Sequence, residues 1–167
     1  MKLTELFIPE LEREAALSRR VLERVPEGRN EWQPHPKSMR LGYLAALVAS
    51  MPGWIEMMVN HDELDFASPG AYRTQAMSTT RELVQGLDGW VSKAREALAR
   101  TTDAHLMTSW RIRAGGHVIS EQPRHIFIRD AVFNHMAHHR GQLTVYLRLN
   151  EVAVPAIYGP TADEGGM

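Results

Sequence analysis

Apolar residues recur at three- and four-residue intervals over four long stretches of the chain, the period of an amphipathic helix. They shift to the two-residue period of strands over only one. In residues 3–25 the inward face is Leu3, Leu6, Phe7, Leu11, Leu17, Val21 and Val25, and the Pro-Glu-Gly at 26–28 ends it. A proline-bearing linker, WQPHPKS, then delivers the chain to Ser38, placed as the N-cap of a second helix over 39–59. That helix carries Leu44, Leu47, Met51, Trp54 and Met58 in one stripe. It should bend near Met51, because Pro52 lacks a backbone donor and clashes with the preceding turn.

A polar connection, FASPGAYRTQ, leads to a third helix that begins near Thr79, whose spacing to Glu82 fits a capping box. Leu83, Leu87, Trp90, Ala94 and Leu98 form its buried face. The strand-like period over 110–120, around AGGH, predicts a short hairpin, and the fourth helix starts beyond Pro123 and runs to about Asn150. The expected fold is therefore all-α, a four-helix bundle with a short β-hairpin between helices 3 and 4. Trp54 and Trp90 are expected as core anchors, with Trp32 and Trp110 at the edges of elements.

Composition narrows the size and the partners. A chain of 167 residues, 44% of them hydrophobic, fits one buried core, so residues 1–167 read as a single domain. Nineteen Lys and Arg against twenty Asp and Glu leave a net charge of −1, which gives no reason to expect nucleic acid or a membrane surface as partner. A small molecule or another protein chain is expected instead. The N-terminal stretch lacks the apolar run of a signal peptide, and no window approaches the ~20 apolar residues of a membrane span. The expected location is cytoplasmic.

Cysteine is absent, so disulfides, thiolate ligands and a cysteine nucleophile are excluded, and any metal must be held by His, Asp or Glu. The stretch FNHMAHHRGQLTVYL at 133–147 then stands out. Stepping by four and three from Ile128 gives Val132, His135, His139, Gln142, Tyr146 and Leu149 on one face. His135 and His139 differ by about 40° around the axis, the i, i+4 arrangement by which one helix offers two imidazoles to one metal. The alternative is a hydrogen-bonded polar layer with Gln142 and Tyr146. His138 diverges from His139 by about 100° and reads as an edge residue or a supporting donor.

The segment NHMAHHRGQLTVYLRLNEVAVPAIYGPTADE at 134–164 resembles the C-terminal signature of the DinB and YfiT-like superfamily, as do WQPHPKSMRLGYLAALVASMPGW at 32–54 and the Pro-Arg at 123–124. The resemblance implies a four-helix bundle, often dimeric, with a divalent metal such as zinc or nickel held by three histidines. Two of these come from the last helix and one from the second. It also implies activities among thiol-dependent transferases, isomerases and hydrolases, beside members with no known activity. In HHRGQ, Gly141 is expected to permit close helix packing and Arg140 to pair with a carboxylate.

Carried over residue by residue, the two ligands of the last helix fall on His135 and His139. The third falls on Leu47, which cannot coordinate a metal. His61 lies roughly 21 Å further along a straight helix, out of reach. His35 is not a ligand in the family pattern, and His105, His117 and His125 read as ordinary turn or surface histidines. The combined reading is a metal-dependent enzyme, hydrolase or thiol-dependent transferase in type, with an incomplete His site that acts on a small-molecule substrate or thiol as a homodimer. The alternative is a metal-poor, non-catalytic member that binds a small molecule or a protein partner.

Overall fold

A computed structural model describes residues 2–69 and 73–165; the tip of the 66–75 connection, residues 70–72, lies outside them. The fold is mostly helical with a small three-stranded mixed sheet. Helix α1 spans Leu3–Leu22, α2 Leu41–Ser50, α3 Gly53–Asn60 and α4 Thr80–Arg100. A short α5 (Asp103–Leu106) precedes the strands, and α6 (Arg124–Phe127), a π-helical segment (Ile128–Asn134) and α7 (His135–Leu149) follow one another without a break.

Helix α2 is the centre. Every residue from Leu44 to Met51 is buried, so it is apolar on all sides and packs against α1, α4 and α7. Its start differs from the expected Ser38 cap: Arg40 occupies the cap position, and its side chain pairs with Glu31 instead of capping the helix. The linker backbone does the capping, with Leu41 N donating to Trp32 O at 2.8 Å and Gly42 N to Asn30 O at 3.0 Å. A Cβ on Gly42 would stand 2.8 Å from Asn30 Cβ, so the glycine allows this close approach.

The bend expected near Met51 is present, with α2 and α3 meeting at 49° around Pro52. Gly53 adds a second reason for it. An added Cβ there would lie 2.4 Å from the Trp90 ring, so the bend seats the α3 backbone directly on that indole. Among the described residues no single helix is long and apolar enough to cross a membrane, and the bent α2–α3 pair that qualifies by composition has α2 buried in the core.

The Thr79–Glu82 capping box opens α4 as expected. The hairpin is also present, as β2 (Ser109–Ala114) and β3 (His117–Pro123), antiparallel, with a bulge at Ile112/Arg113 and Gly115 at φ +59°. The all-α expectation missed β1 (Glu63–Asp65), which pairs in parallel with β2. Asp65 ties them further, since its carboxylate accepts from the backbone N–H of Ala67 and Gly115.

Arg124, from the Pro-Arg pair, is buried where α3, the sheet and α6 meet. It donates to the carbonyls of Met58, His61 and Ser109 and pairs with Asp62. Trp110 stands near the start of β2, at the edge of an element as expected, and is buried there against Phe127, ring centroids 4.9 Å apart. Trp90, expected inside, is half-buried with the Lys93 ammonium 4.4 Å above its ring.

The core has two lobes. One surrounds α2 with Val21, Leu22, Leu83, Leu87, Leu143 and Leu147; the other joins Phe7, Leu11, Ile55, Met58, Trp110, Phe127 and Phe133. Trp54 and Val91 pack against both.

Candidate functional site

His135 opens α7 immediately after the π-helical turns, and His139 follows one turn later. The fourth helix is thus not the uniform α-helix of the sequence reading. Each π turn holds an extra residue, and the face it delivers is rotated accordingly. His139 is buried and His135 half-buried, but Gln142 and Leu149, placed on the same inward face from sequence, are exposed.

The two rings meet edge to edge. Their Nε2 atoms lie 2.8 Å apart, and His139 Nδ1 stands 2.7 Å from Gln142 Oε1. An amide oxygen only accepts, so His139 Nδ1 carries the hydrogen and its Nε2 turns a lone pair toward His135. The Ala131 carbonyl accepts from the His135 ring. Trp54 lies against His135 with ring centroids 5.7 Å apart, placed there by the α2–α3 bend.

Burial is the main cause that lowers both histidines below their ordinary value. His138 pushes His135 the same way by charge, against the Ala131 bond; His135 and His138 do so for His139, against the Gln142 bond. Burial therefore disfavours charge on both rings; with His139 Nδ1–H on Gln142 and the His135 N–H on Ala131, the two Nε2 lone pairs face each other, and one proton or one cation between them would satisfy both. His138 stands exposed at the rim, its ring 4.9 Å from that of His139.

Leu47 faces the pair. With His135, His139, Trp54, Tyr43, Phe66 and Arg73 it lines one cavity of 560 Å³, within the ordinary range for small-molecule sites. The remaining histidines serve elsewhere. His105 Nε2 meets Val59 O at 2.9 Å, His125 Nδ1 meets Leu106 O at 3.2 Å, and His35 Nδ1 accepts from Lys37 N. His61 and His117 are exposed.

The family model described as the DinB family matches residues 2–165. The chain belongs to the DinB family. Among solved structures, a DinB-like protein from Bacillus cereus ATCC 10987 superposes with a TM-score of 0.70 at 22% identity, covering 92% of this chain and 97% of that one. A DinB-like protein, YjoA, from Bacillus subtilis gives 0.67 at 18% identity, covering 92% and 98%. No functionally curated protein matches the chain.

Metal coordination in this DinB-family chain can be tested on the donor set itself. Two imidazole nitrogens at the usual ~2.0–2.1 Å from one ion lie about 2.9 Å apart at a right angle and about 3.3 Å apart at the tetrahedral angle. The observed 2.8 Å is close to the first. The third position fails: Leu47 fills that wall, the cavity lining holds no carboxylate, and no group of three His, Asp or Glu gathers among the described residues. The residues present do not make a three-ligand site.

HHRGQ acquires its partners. Arg140 is buried and pairs with the buried Glu14 of α1 at 2.7 Å, with further bonds to Glu14 O and Ser18 Oγ, each 3.1 Å. Tyr158 completes the cluster, accepting from Arg140 and donating to Glu14. Gly141 does not have the packing role expected of it, since a Cβ there would meet nothing within 4 Å. Sequence reasoning missed Glu14, Tyr158, Arg73 and Phe66. Only Glu14 left a signal, as a charge among the apolar positions of α1.

Proposed function

We propose that this DinB-family protein is a metal-poor, non-catalytic member, a single four-helix-bundle domain that pairs as a homodimer and binds a small molecule in the cavity beside His135 and His139. The observation that carries this reading is Leu47. An apolar side chain stands where a third ligand would be needed, and the same cavity is bounded by Trp54 and Phe66, surfaces suited to an organic ligand.

A second reading, a metal-dependent hydrolase or thiol-dependent transferase with water completing the coordination, is supported by the convergence of the two neutral Nε2 atoms at 2.8 Å. Bound divalent metal would there lower the pKa of a water or thiol.

Metal analysis of protein purified without a histidine tag separates the two. Substoichiometric zinc and nickel are expected on the first reading and one ion per chain on the second. Thermal unfolding of Leu47→His supplies the geometric test. The exchange is expected to cost about 1–3 kcal/mol with chelator present, because a buried leucine is replaced by a polar ring. Added zinc should more than restore that loss in the variant, since an ion that binds only the folded state stabilises it by mass action. The gain should vanish in Leu47→His/His139→Ala. Equal stabilisation of parent and variant by zinc would overturn the reading.

A further inference from the structure

The polar and apolar parts of the His-pair cavity are unequal. Its walls come from Leu47, Trp54 and Phe66 with the ring of Tyr43, and one formal charge lies among them, that of Arg73. Neither Asp nor Glu lines it. Arg73 makes no ion pair and no side-chain hydrogen bond among the described residues, although most other arginines of the chain are paired. The two histidines add two polar edges but no fixed charge while neutral.

We propose that the cavity takes a small organic monoanion, a carboxylate on an apolar body of aromatic size, with Arg73 pairing the carboxylate and Leu47, Trp54 and Phe66 in contact with the body. This names the ligand class for the cavity and rests on the reading of that cavity as the functional site. A planar guanidinium offers two parallel N–H donors to a carboxylate. A single cation balances a single anion, whereas a dianion such as a phosphate monoester would bring a second charge against a largely apolar lining that offers no second fixed cation. A cation would face Arg73 with no carboxylate in the lining to offset the repulsion. Leu47 belongs to the same argument, because it replaces a coordinating wall with one that contacts hydrocarbon. The cavity's 560 Å³ accommodates a phenyl ring with a short acidic chain.

The test uses 4-phenylbutyrate, 4-phenylbutan-1-ol and 4-phenylbutylamine, three probes of one shape that differ in charge, titrated calorimetrically into the full chain. The acid is expected to bind roughly tenfold or more tightly than the alcohol, with the amine weakest. Arg73→Gln should bring the acid down to the alcohol and leave the alcohol where it was; Arg73→Lys should restore part of the preference. Phe66→Ala, a change at a half-exposed side chain, should weaken acid and alcohol by the same factor.

Equal binding of acid and alcohol, or an acid preference untouched by Arg73→Gln, would overturn the anion assignment while leaving the cavity as a small-molecule site. Absence of binding by all three would overturn the assignment outright. One tightly bound zinc or nickel per chain in untagged protein would instead overturn the metal-poor reading, whatever the probes do.

Discussion

Among single residues, Arg140 has the most exacting surroundings. Its guanidinium is buried with Glu14, and such a pair contributes little net stability over an apolar one, but removing one member strands the other. Arg140→Met is expected to cost about 3–5 kcal/mol in denaturant unfolding, and Glu14→Gln/Arg140→Met to recover a large part. The acid limb of stability follows from the same carboxylate. Burial by itself pushes Glu14 up; the Tyr158 and Arg140 bonds, the Arg140 charge and the Arg13 bond together bring it below the ordinary 4.5. The unfolded chain therefore takes up the proton first as pH falls. This contribution is fully present above about pH 4.5 and is lost as pH drops through the lower folded value. Urea midpoints measured from pH 6 downward should decline through that window. In Glu14→Gln/Arg140→Met that part of the decline should be absent.

The elements show what a sequence does and does not reveal. That His135 and His139 lie together was legible from helical spacing, that Leu47 lines the same cavity followed from the family resemblance, and the bend was legible because proline states its own chemistry. The π-helical segment was not: Ile128–Asn134 looks like ordinary amphipathic helix, and nothing in its residue pattern marks the extra residue per turn. Strand β1 has only three residues, too few for a period, and exists because β2 offers it an edge. Gly53 carries the prediction for this scale. Any side chain there meets the Trp90 ring, so Gly53→Ala is expected to lower stability by about 1–3 kcal/mol, with Trp90→Leu in the same chain relieving most of it. Parallel thermal melts of the parent and the two variants decide this, and an unaffected Gly53→Ala would show that the contact is loose.

For the whole molecule, the C-terminal segment matters as much as the helices. Beyond α7 the chain turns at Glu151, φ 58°, and runs back along α1, held by Arg20 to Ala156 O at 2.6 Å and Arg24 to Ala153 O at 3.0 Å. Both arginines also pair with Glu164, so the segment that brings Tyr158 onto Arg140 is fastened beyond it as well. The proposed homodimer has a surface available on the outer side of α7, where Val145 and Leu149, one turn apart, are 57% and 54% exposed. Sedimentation at micromolar concentration should give twice the 18.9 kDa chain mass, and Val145→Asp should return it to one. A parent that sediments at the single-chain mass would exclude the dimer. The bend that seats Trp54 5.7 Å from His135 has an optical consequence. An imidazolium quenches a neighbouring indole and a neutral imidazole does so far less, so one of the four tryptophans should brighten or dim as His135 changes state or the cavity fills. The protein thus carries its own fluorophore at the site, and the difference spectrum against Trp54→Phe isolates it.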